Sequence, residues 1–201
     1  MTETPPVSLD HGLAEAQRIL AAGAADRHCA AHSPAVASVG SDGAPDQRVM
    51  VLRQCDWRAR TLRFHTDARS PKVHDLSAAP VSVLAYEPDE KTQLRISGLA
   101  RIESDSAAAD EAWRESTNFA RRCYMADPPP STSVDAPTSG LPPSVEGREP
   151  SEAELADARA HFALLLVEMQ RIDWLYLDRQ GHRRARYDWS GEQWGGQWLV
   201  P

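Results

Sequence analysis

The chain has 201 residues, with 22 Lys and Arg against 29 Asp and Glu, which gives a formal net charge of −7. A chain of this length can bury a core without disulfides or a structural metal, and we expect one domain over residues 1–201. This negative net charge argues against nucleic-acid binding through the overall electrostatic field of the protein. Three widely spaced cysteines, no apolar run near the ~20 residues of a membrane span, and an N-terminus without signal-peptide features predict a cytoplasmic protein.

The first part of the chain predicts a helix followed by strands. Residues 9–23 place apolar side chains at helical spacing, with Ser8 as the N-cap and Gly23 as the residue that ends the helix. Ser70 and Pro71 predict the start of a short helix over 71–78. Alternating or β-branched segments predict strands at 35–40, 48–54, 60–66, 81–87 and 93–103. Their short connections favour antiparallel pairing in a barrel or sandwich.

The second part is less regular. Residues 106–121 predict a helix with Trp113 on its apolar face. Seven of the 15 prolines lie between residues 128 and 150, so we interpret 127–150 as a long loop. The remaining elements are a helix over 151–159, which begins with a capping box, a long strand with a bend over 161–178 and a terminal hairpin over 183–201.

Basic residues are concentrated in one stretch of this acidic chain. Two or three of them, with a hydroxyl from Thr66 or Ser70 and a helix start, would suit a phosphate group. Solvated arginines that protect strand edges are the alternative, and composition alone leaves both open. The stretch comprises Arg48, Arg53, Arg58, Arg60, Arg63, Arg69 and Lys72.

Other catalytic or ligand-binding motifs are absent from the sequence. It has no dinucleotide-binding or phosphate-binding glycine loop, no zinc-protease motif and no nucleophile elbow. His28 and His32 are four residues apart, but no third ligand accompanies them, so we predict no metal site.

Five segments, taken in order, resemble the pyridoxamine 5′-phosphate oxidase-like FMN-binding proteins. The resemblance runs from about residue 35 to 201, excluding the proline-rich loop, and its specificity comes from the order and spacing of the pieces. The pieces are RVMVLR (48–53), FHT (64–66), SPK (70–72), QLRISG (93–98) and the pair Trp174 and Arg184.

The resemblance implies a mainly β fold, a six-stranded antiparallel Greek-key split barrel with flanking helices, that forms a homodimer with FMN at the subunit interface. It further implies that Trp174 and Arg184 come from the other subunit and that Gln93 lies near the flavin ring. The other FMN-binding residues it implies are Arg48, Val49, Met50, Val51, Arg53, His65, Thr66, Ser70 and Lys72.

The chain also departs from that family pattern. His65 stands where the family commonly has Tyr, and Pro71 replaces a phosphate-binding Arg, for which Arg69 is a candidate substitute. On the substrate side, Arg53 replaces a Lys and only His182 of an Arg-x-His set remains, while 118–131 has no counterpart of a third set. Since Arg and Lys bind anions differently, the substrate is open.

The sequence therefore predicts an FMN-dependent oxidoreductase of the pyridoxamine 5′-phosphate oxidase type, with Arg53 and His182 at the substrate. The family chemistry would move a hydride from the carbon bearing a substrate amine to flavin N5, with O2 as acceptor. Two alternatives remain at this point: a flavin- or haem-binding split barrel without oxidase activity, and a dimeric scaffold with a vestigial site.

Overall fold

The computed structural model describes residues 8–201, so the first seven residues of the N-terminal stretch lie outside it. Within that range the chain forms nine strands, all paired antiparallel. They are β1 (Ala35–Val39), β2 (Pro45–Val49), β3 (Leu52–Asp56), β4 (Thr61–Asp67), β5 (Pro80–Glu87), β6 (Thr92–Glu103), β7 (Phe162–Tyr176), β8 (Arg183–Trp189) and β9 (Trp194–Leu199).

The sheet is a split barrel, which confirms the predicted fold class. Its order is β2-β1-β5-β6-β7-β4-β3, with β8 and then β9 added beside β7. In the described part of the chain the two end strands, β2 and β3, do not pair, so the sheet curls without closing. The terminal hairpin supplies two of the three strands beyond the six that the resemblance implied, and the third arises because the strand predicted at 48–54 is two strands.

Alternating burial along the strands builds the main core. In β6 every second side chain from Thr92 to Ala100 is buried, as expected for a strand with one face inside. Helix α1 (Leu9–Ala25) covers the barrel with Ile19 and Leu20, and Ser8 caps it by accepting from the His11 N–H at 3.1 Å. The helix runs past Gly23 to Ala25, two residues beyond the predicted end.

A second, smaller core is largely aromatic. The rings of Trp113, Tyr124 and Phe162 pack edge to face with centroids 5.2–5.8 Å apart, over Leu155. This core joins the segment after β6 to the start of β7. It therefore fixes residues 113–124 next to the start of β7, the strand that pairs with β4.

Several predicted elements differ in their bounds. The strand predicted at 48–54 is two strands, because the chain breaks pairing at 50–51. The helix predicted at 106–121 is interrupted into α3 (Ala107–Glu115) and α4 (Asn118–Arg121). At the break, the Ser116 hydroxyl donates to the Ala112 carbonyl and the Thr117 hydroxyl accepts from the Ala120 N–H. Such side-chain bonds to the backbone compete with a continuous helix.

Two further helix predictions need correction. The helix expected at 71–78 is a single turn, α2 (Lys72–Asp75), and Ser70 does not cap it. The helix expected at 151–159 does not form, although the Glu154 carboxylate accepts from the Ser151 N–H as a capping box requires. Turns lead instead into a 3₁₀ helix at Asp157–His161.

The proline-rich loop, residues 127–150, has no helix or strand but is held to the rest of the chain. The Arg122 guanidinium donates to the carbonyls of Val145 and Arg148, at 3.3 and 2.9 Å, and Val145 is 1% exposed. Across residues 8–201, no helix is long and apolar enough to cross a membrane.

Candidate functional site

One cleft brings together most of the residues that the sequence assigned to FMN. It has a volume of about 480 Å³ and lies between strands β2–β4 and the segment that follows α3. Eight predicted residues line it: Arg48, Val49, Met50, Val51, Arg53, His65, Thr66 and Lys72.

Two backbone irregularities open this side of the cleft. The break between β2 and β3 turns Met50 and Val51 out of the ladder, and the Met50 N–H donates to the Pro34 carbonyl at 3.0 Å instead. A β-bulge in β3 then shifts the register with β4 between Leu52 and Gln54, which makes Arg53 the extra residue. Bulges of this kind redirect a side chain, and here the redirected side chain lines the cleft.

One end of the cleft is strongly cationic. The Arg48 guanidinium donates to the Ser38 hydroxyl at 2.9 Å and pairs with Asp46. The Lys72 ammonium lies 3.0 Å from the Ser70 hydroxyl, and burial together with the nearby Arg48 charge lowers the pKa of Lys72. An anion placed here would relieve the repulsion between the two cations. Ser70 itself lies behind Lys72 and does not line the cleft.

Two buried polar atoms facing this cleft lack a hydrogen-bond partner among the described residues. They are His65 Nε2 and Thr66 Oγ1. Burial, with the charges of Arg53 and Arg63, lowers the pKa of His65 to about 3, so its imidazole is neutral near pH 7. Buried polar groups are almost always satisfied, so these two atoms indicate a ligand with hydrogen-bonding atoms of its own.

Arg69, the predicted substitute for the Arg lost at Pro71, pairs with a neighbouring carboxylate. Its guanidinium donates to both carboxylate oxygens of Asp67, at 3.0 and 2.7 Å, and Asp67 lines the cleft. The pair neutralises a carboxylate that would otherwise repel an anion near Lys72. The one-turn helix α2 is too short for its N-terminus to replace the donors lost at Pro71.

The opposite wall was missed by the sequence analysis. It consists of Ser116, Ala120, Cys123, Tyr124 and Pro130, so the proline-rich loop reaches the cleft at one residue. No motif marks these positions, because tertiary packing brings them to β4: Tyr124 packs on Phe162, which in turn packs on His65. The aromatic side chain of Tyr124, which is buried, is the one feature of this wall that the sequence could have marked.

Gln93 and Arg184 lie elsewhere, on the face of the sheet that points away from the core. Gln93 on β6 pairs in register with Leu175 on β7, and Leu175 pairs with Arg184 on β8. Arg184 donates to Asp173 at 2.8 Å. In the β7–β8 turn, His182 Nδ1 accepts from the Asp178 N–H at 3.1 Å. None of the three lines this chain's own cleft.

Trp174 does not fit the role that the sequence gave it. Its side chain is 0% exposed beneath α1, and its indole N–H donates to Glu15 at 2.7 Å. A fully buried ring is not exposed at the surface of the sheet. Successive residues of a strand face opposite sides, so Leu175, one residue later, takes the outward position beside Gln93 and Arg184.

Comparison with known proteins agrees with this architecture. A family model for pyridoxamine 5′-phosphate oxidase matches residues 27–137. Pyridoxine/pyridoxamine 5′-phosphate oxidase 2 of Arabidopsis thaliana is 28% identical over 152 residues, covering 71% of this chain and 72% of that protein. Dihydrophenazinedicarboxylate synthase of Pseudomonas chlororaphis is 26% identical over 83% of this chain and 73% of its own length.

Among solved structures, a pyridoxamine 5′-phosphate oxidase-related, FMN-binding protein from Nostoc punctiforme superposes with a TM-score of 0.69. It is 22% identical, and the alignment covers 100% of both chains. This likeness shows that the two proteins share a fold.

Proposed function

The chain belongs to the pyridoxamine 5′-phosphate oxidase family, and from that premise we propose that it is an FMN-dependent oxidoreductase. The cleft carries the proposal. It combines two cations, Arg48 and Lys72, with two buried polar atoms, His65 Nε2 and Thr66 Oγ1, that lack partners within residues 8–201. An anionic phosphate joined to a polar, planar ring system satisfies both features.

The residues divide into two tasks in this proposal. Lys72 and Arg48 bind the FMN phosphate through charge-assisted hydrogen bonds, each worth about 1.5–3 kcal/mol, and Ser70 orients the ammonium of Lys72. Thr66 would donate its hydroxyl hydrogen to the flavin, and His65 would accept at Nε2 or donate there according to its tautomer. Residues 49–51, which line the cleft where β2 ends and β3 begins, would contact the flavin.

Bound FMN would supply hydride acceptance at N5, from the carbon that bears a substrate amine, with O2 taking the electrons to give peroxide. The chain's contribution is to orient the substrate and to exclude water. Arg53, redirected by the bulge, would contact the substrate, and Pro130 with Tyr124 would shield it. Because His182 does not line this chain's cleft, it would reach a substrate only from a second subunit.

A homodimer completes the proposal. The outward face of the sheet exposes large apolar side chains, among them Val49 at 69%, Leu84 at 41% and Tyr86 at 45%. Tyr86 pairs in register with Gln93 and extends the row of Gln93, Leu175 and Arg184, and Leu84 lies two residues away on β5. Exposed apolar surface rimmed by polar groups is typical of an interface, and a second subunit seated here would bring that row to its partner's cleft.

The experiment is to purify the protein and identify its bound chromophore by absorbance and mass. Amines are then tested for whether they bleach the flavin absorbance under anaerobic conditions. FMN bound to the protein and bleached by an amine is the expected result. A Soret band would instead indicate a haem-binding split barrel. Bound FMN that no amine bleaches would indicate a flavin-binding protein without amine oxidase activity.

A further inference from the structure

A buried carboxylate connects three neighbouring strands on the outward face of the sheet. Asp173 on β7 is 7% exposed, and it points away from the core because its two chain neighbours, Ile172 and Trp174, point into it. Its carboxylate accepts from Arg95 on β6 at 2.8 Å and from Arg184 on β8 at 2.8 Å. One carboxylate therefore holds two guanidinium groups, one from each neighbouring strand.

The contact with Asp173 fixes the direction of the Arg184 guanidinium. Arg184 donates to Asp173 through both Nε, at 3.1 Å, and Nη2, at 2.8 Å. Its third nitrogen, Nη1, has no hydrogen-bond partner among residues 8–201, and the side chain is 27% exposed. Ion pairs at a protein surface add little to stability, so the main consequence of this one is an oriented donor with one nitrogen left free.

Asp173 also lies at one end of a row of paired residues whose other end is the cleft. The row crosses five strands in register and comprises Asp173, Arg95, Leu84, Ala35 and Val49. Val49 lines the cleft, and Leu84 is the midpoint of the row. Each end is two strands away from Leu84, which is about 10 Å along the sheet.

A symmetric dimer places the two ends of this row opposite each other. Dimers are most often related by a twofold axis, so that the same surface of each subunit meets the other. With the axis along β5 at Leu84, which is 41% exposed, Asp173 of one subunit faces the partner's Val49. The outward face of a curled sheet is convex, so two such faces touch at Leu84 and diverge toward both ends. A ligand in either cleft would then lie between that cleft and the Arg184 guanidinium of the opposite chain.

We propose that Asp173 is a positioning residue for FMN, because it holds Arg184 in place for the flavin bound in the partner's cleft. The inference rests on the proposed function, in which a homodimer brings Arg184 to that cleft. The free Nη1 of Arg184 would donate to the polar edge of the flavin ring. Without the carboxylate, the guanidinium groups of Arg95 and Arg184 would repel each other, and the donor would no longer be oriented before FMN binds.

The Asp173→Asn variant tests the proposal, because it keeps the size of the side chain and removes its charge. In titrations of flavin-free protein, its Kd for FMN should rise by about fivefold or more, as expected when one hydrogen bond to the ligand is weakened. The absorption bands of the bound flavin should shift as well, since the donor acts on the ring. An affinity equal to that of the wild type, or a tighter one, would overturn the inference.

Asp188→Asn is the matched control. Asp188 also pairs with two arginines on this face, Arg171 at 2.6 Å and Arg186 at 3.0 Å. Its own row of paired residues ends at Gln47, which does not line the cleft. Asp188→Asn should therefore keep the wild-type affinity for FMN, and a loss as large as that of Asp173→Asn would contradict the proposed geometry.

A double-mutant cycle separates positioning from support of the fold. Arg184→Gln should weaken FMN binding by itself, and adding Asp173→Asn to it should cause no further loss. Losses that add, or conversion of Asp173→Asn to monomers in sedimentation, would overturn the positioning role. A wild-type protein that takes up no FMN or sediments as a monomer would instead overturn the proposed function, so the two failures are distinguished.

Mixed dimers test whether Asp173 acts across the interface. Lys72→Met and Asp173→Asn affect opposite halves of each proposed site, so a dimer of the two variants has one site with both changes and one site with neither. Mixing the two flavin-free variants should create tight FMN sites that neither variant has alone. A mixture without such sites would overturn the proposal that Asp173 serves the partner's cleft.

Discussion

At the scale of single residues, the buried imidazole of His65 ties stability to pH. Its pKa is lowered from 6.5 to about 3 in the folded chain, by burial first and then by the Arg53 and Arg63 charges. The unfolded chain therefore binds a proton more readily, and the free energy of unfolding falls as the pH drops from about 6.5 toward 3. His65→Gln should flatten this part of the dependence.

Denaturant unfolding at several pH values between about 7 and 4 measures the effect. His28→Gln, which changes an exposed histidine, is the matched control and should keep the wild-type dependence. If His65→Gln loses stability with acid as steeply as the wild type does, His65 is not held neutral by the fold.

Arg69 and Asp67 give a second prediction at this scale. Arg69→Ala removes the partner of a carboxylate that lines the cleft, so FMN affinity should fall about tenfold. The double variant Asp67→Asn with Arg69→Ala removes that carboxylate's charge as well and should recover most of the affinity. Flavin fluorescence titrations measure both. A double variant as weak as Arg69→Ala would show that Arg69 binds the phosphate directly.

At the scale of elements, the Arg122 contacts should control how firmly the proline-rich loop is held. Arg122→Ala removes two hydrogen bonds to the loop carbonyls, so the loop should be cleaved faster in limited proteolysis, by about fivefold or more. Arg114→Ala changes an exposed arginine on α3 and serves as the control. Equal cleavage rates in the two variants would mean that other contacts hold the loop.

Sequence reasoning was strongest where local patterns decide the structure. Alternating burial located β5 and β6 to within one residue at each end, and the cationic lining of the cleft followed from family resemblance. It was weakest where tertiary contacts decide. The run 48–54, which is apolar from Val49 to Leu52, has no glycine or proline to mark its break at 50–51. The capping box at Ser151 formed its hydrogen bond without a helix following it.

At Trp174 the predicted position and the observed outward position differ by one residue. A strand has a period of two, so a shift of one residue moves a side chain from the surface to the core. The motif spacing selected Trp174, while the register with β6 and β8 places Leu175 on the outer face. The opposite wall could not be predicted either, since tertiary packing places it: Tyr124 packs on Phe162, and Phe162 packs on His65 of β4.

At the scale of the whole molecule, the exposed face of the sheet predicts association of two chains. Leu84→Glu places a charge in that apolar surface and should convert the proposed dimer to monomers, because a buried unpaired carboxylate is costly. Sedimentation analysis measures the mass. Val134→Glu, at a 51% exposed position in the proline-rich loop, should remain dimeric. A wild-type protein that sediments as a monomer would contradict the dimer.

The central claim is that Arg48 and Lys72 hold the phosphate of FMN, and titration of flavin-free protein with FMN tests it most directly. We expect saturation at one FMN per chain, with stabilisation of about 2.7 kcal/mol at 100 times Kd. Lys72→Met should weaken binding at least tenfold, while Lys91→Met, which changes the other lysine at an exposed position, should not. No uptake of FMN and no change in Tm, or equal affinities in the two variants, would contradict the claim.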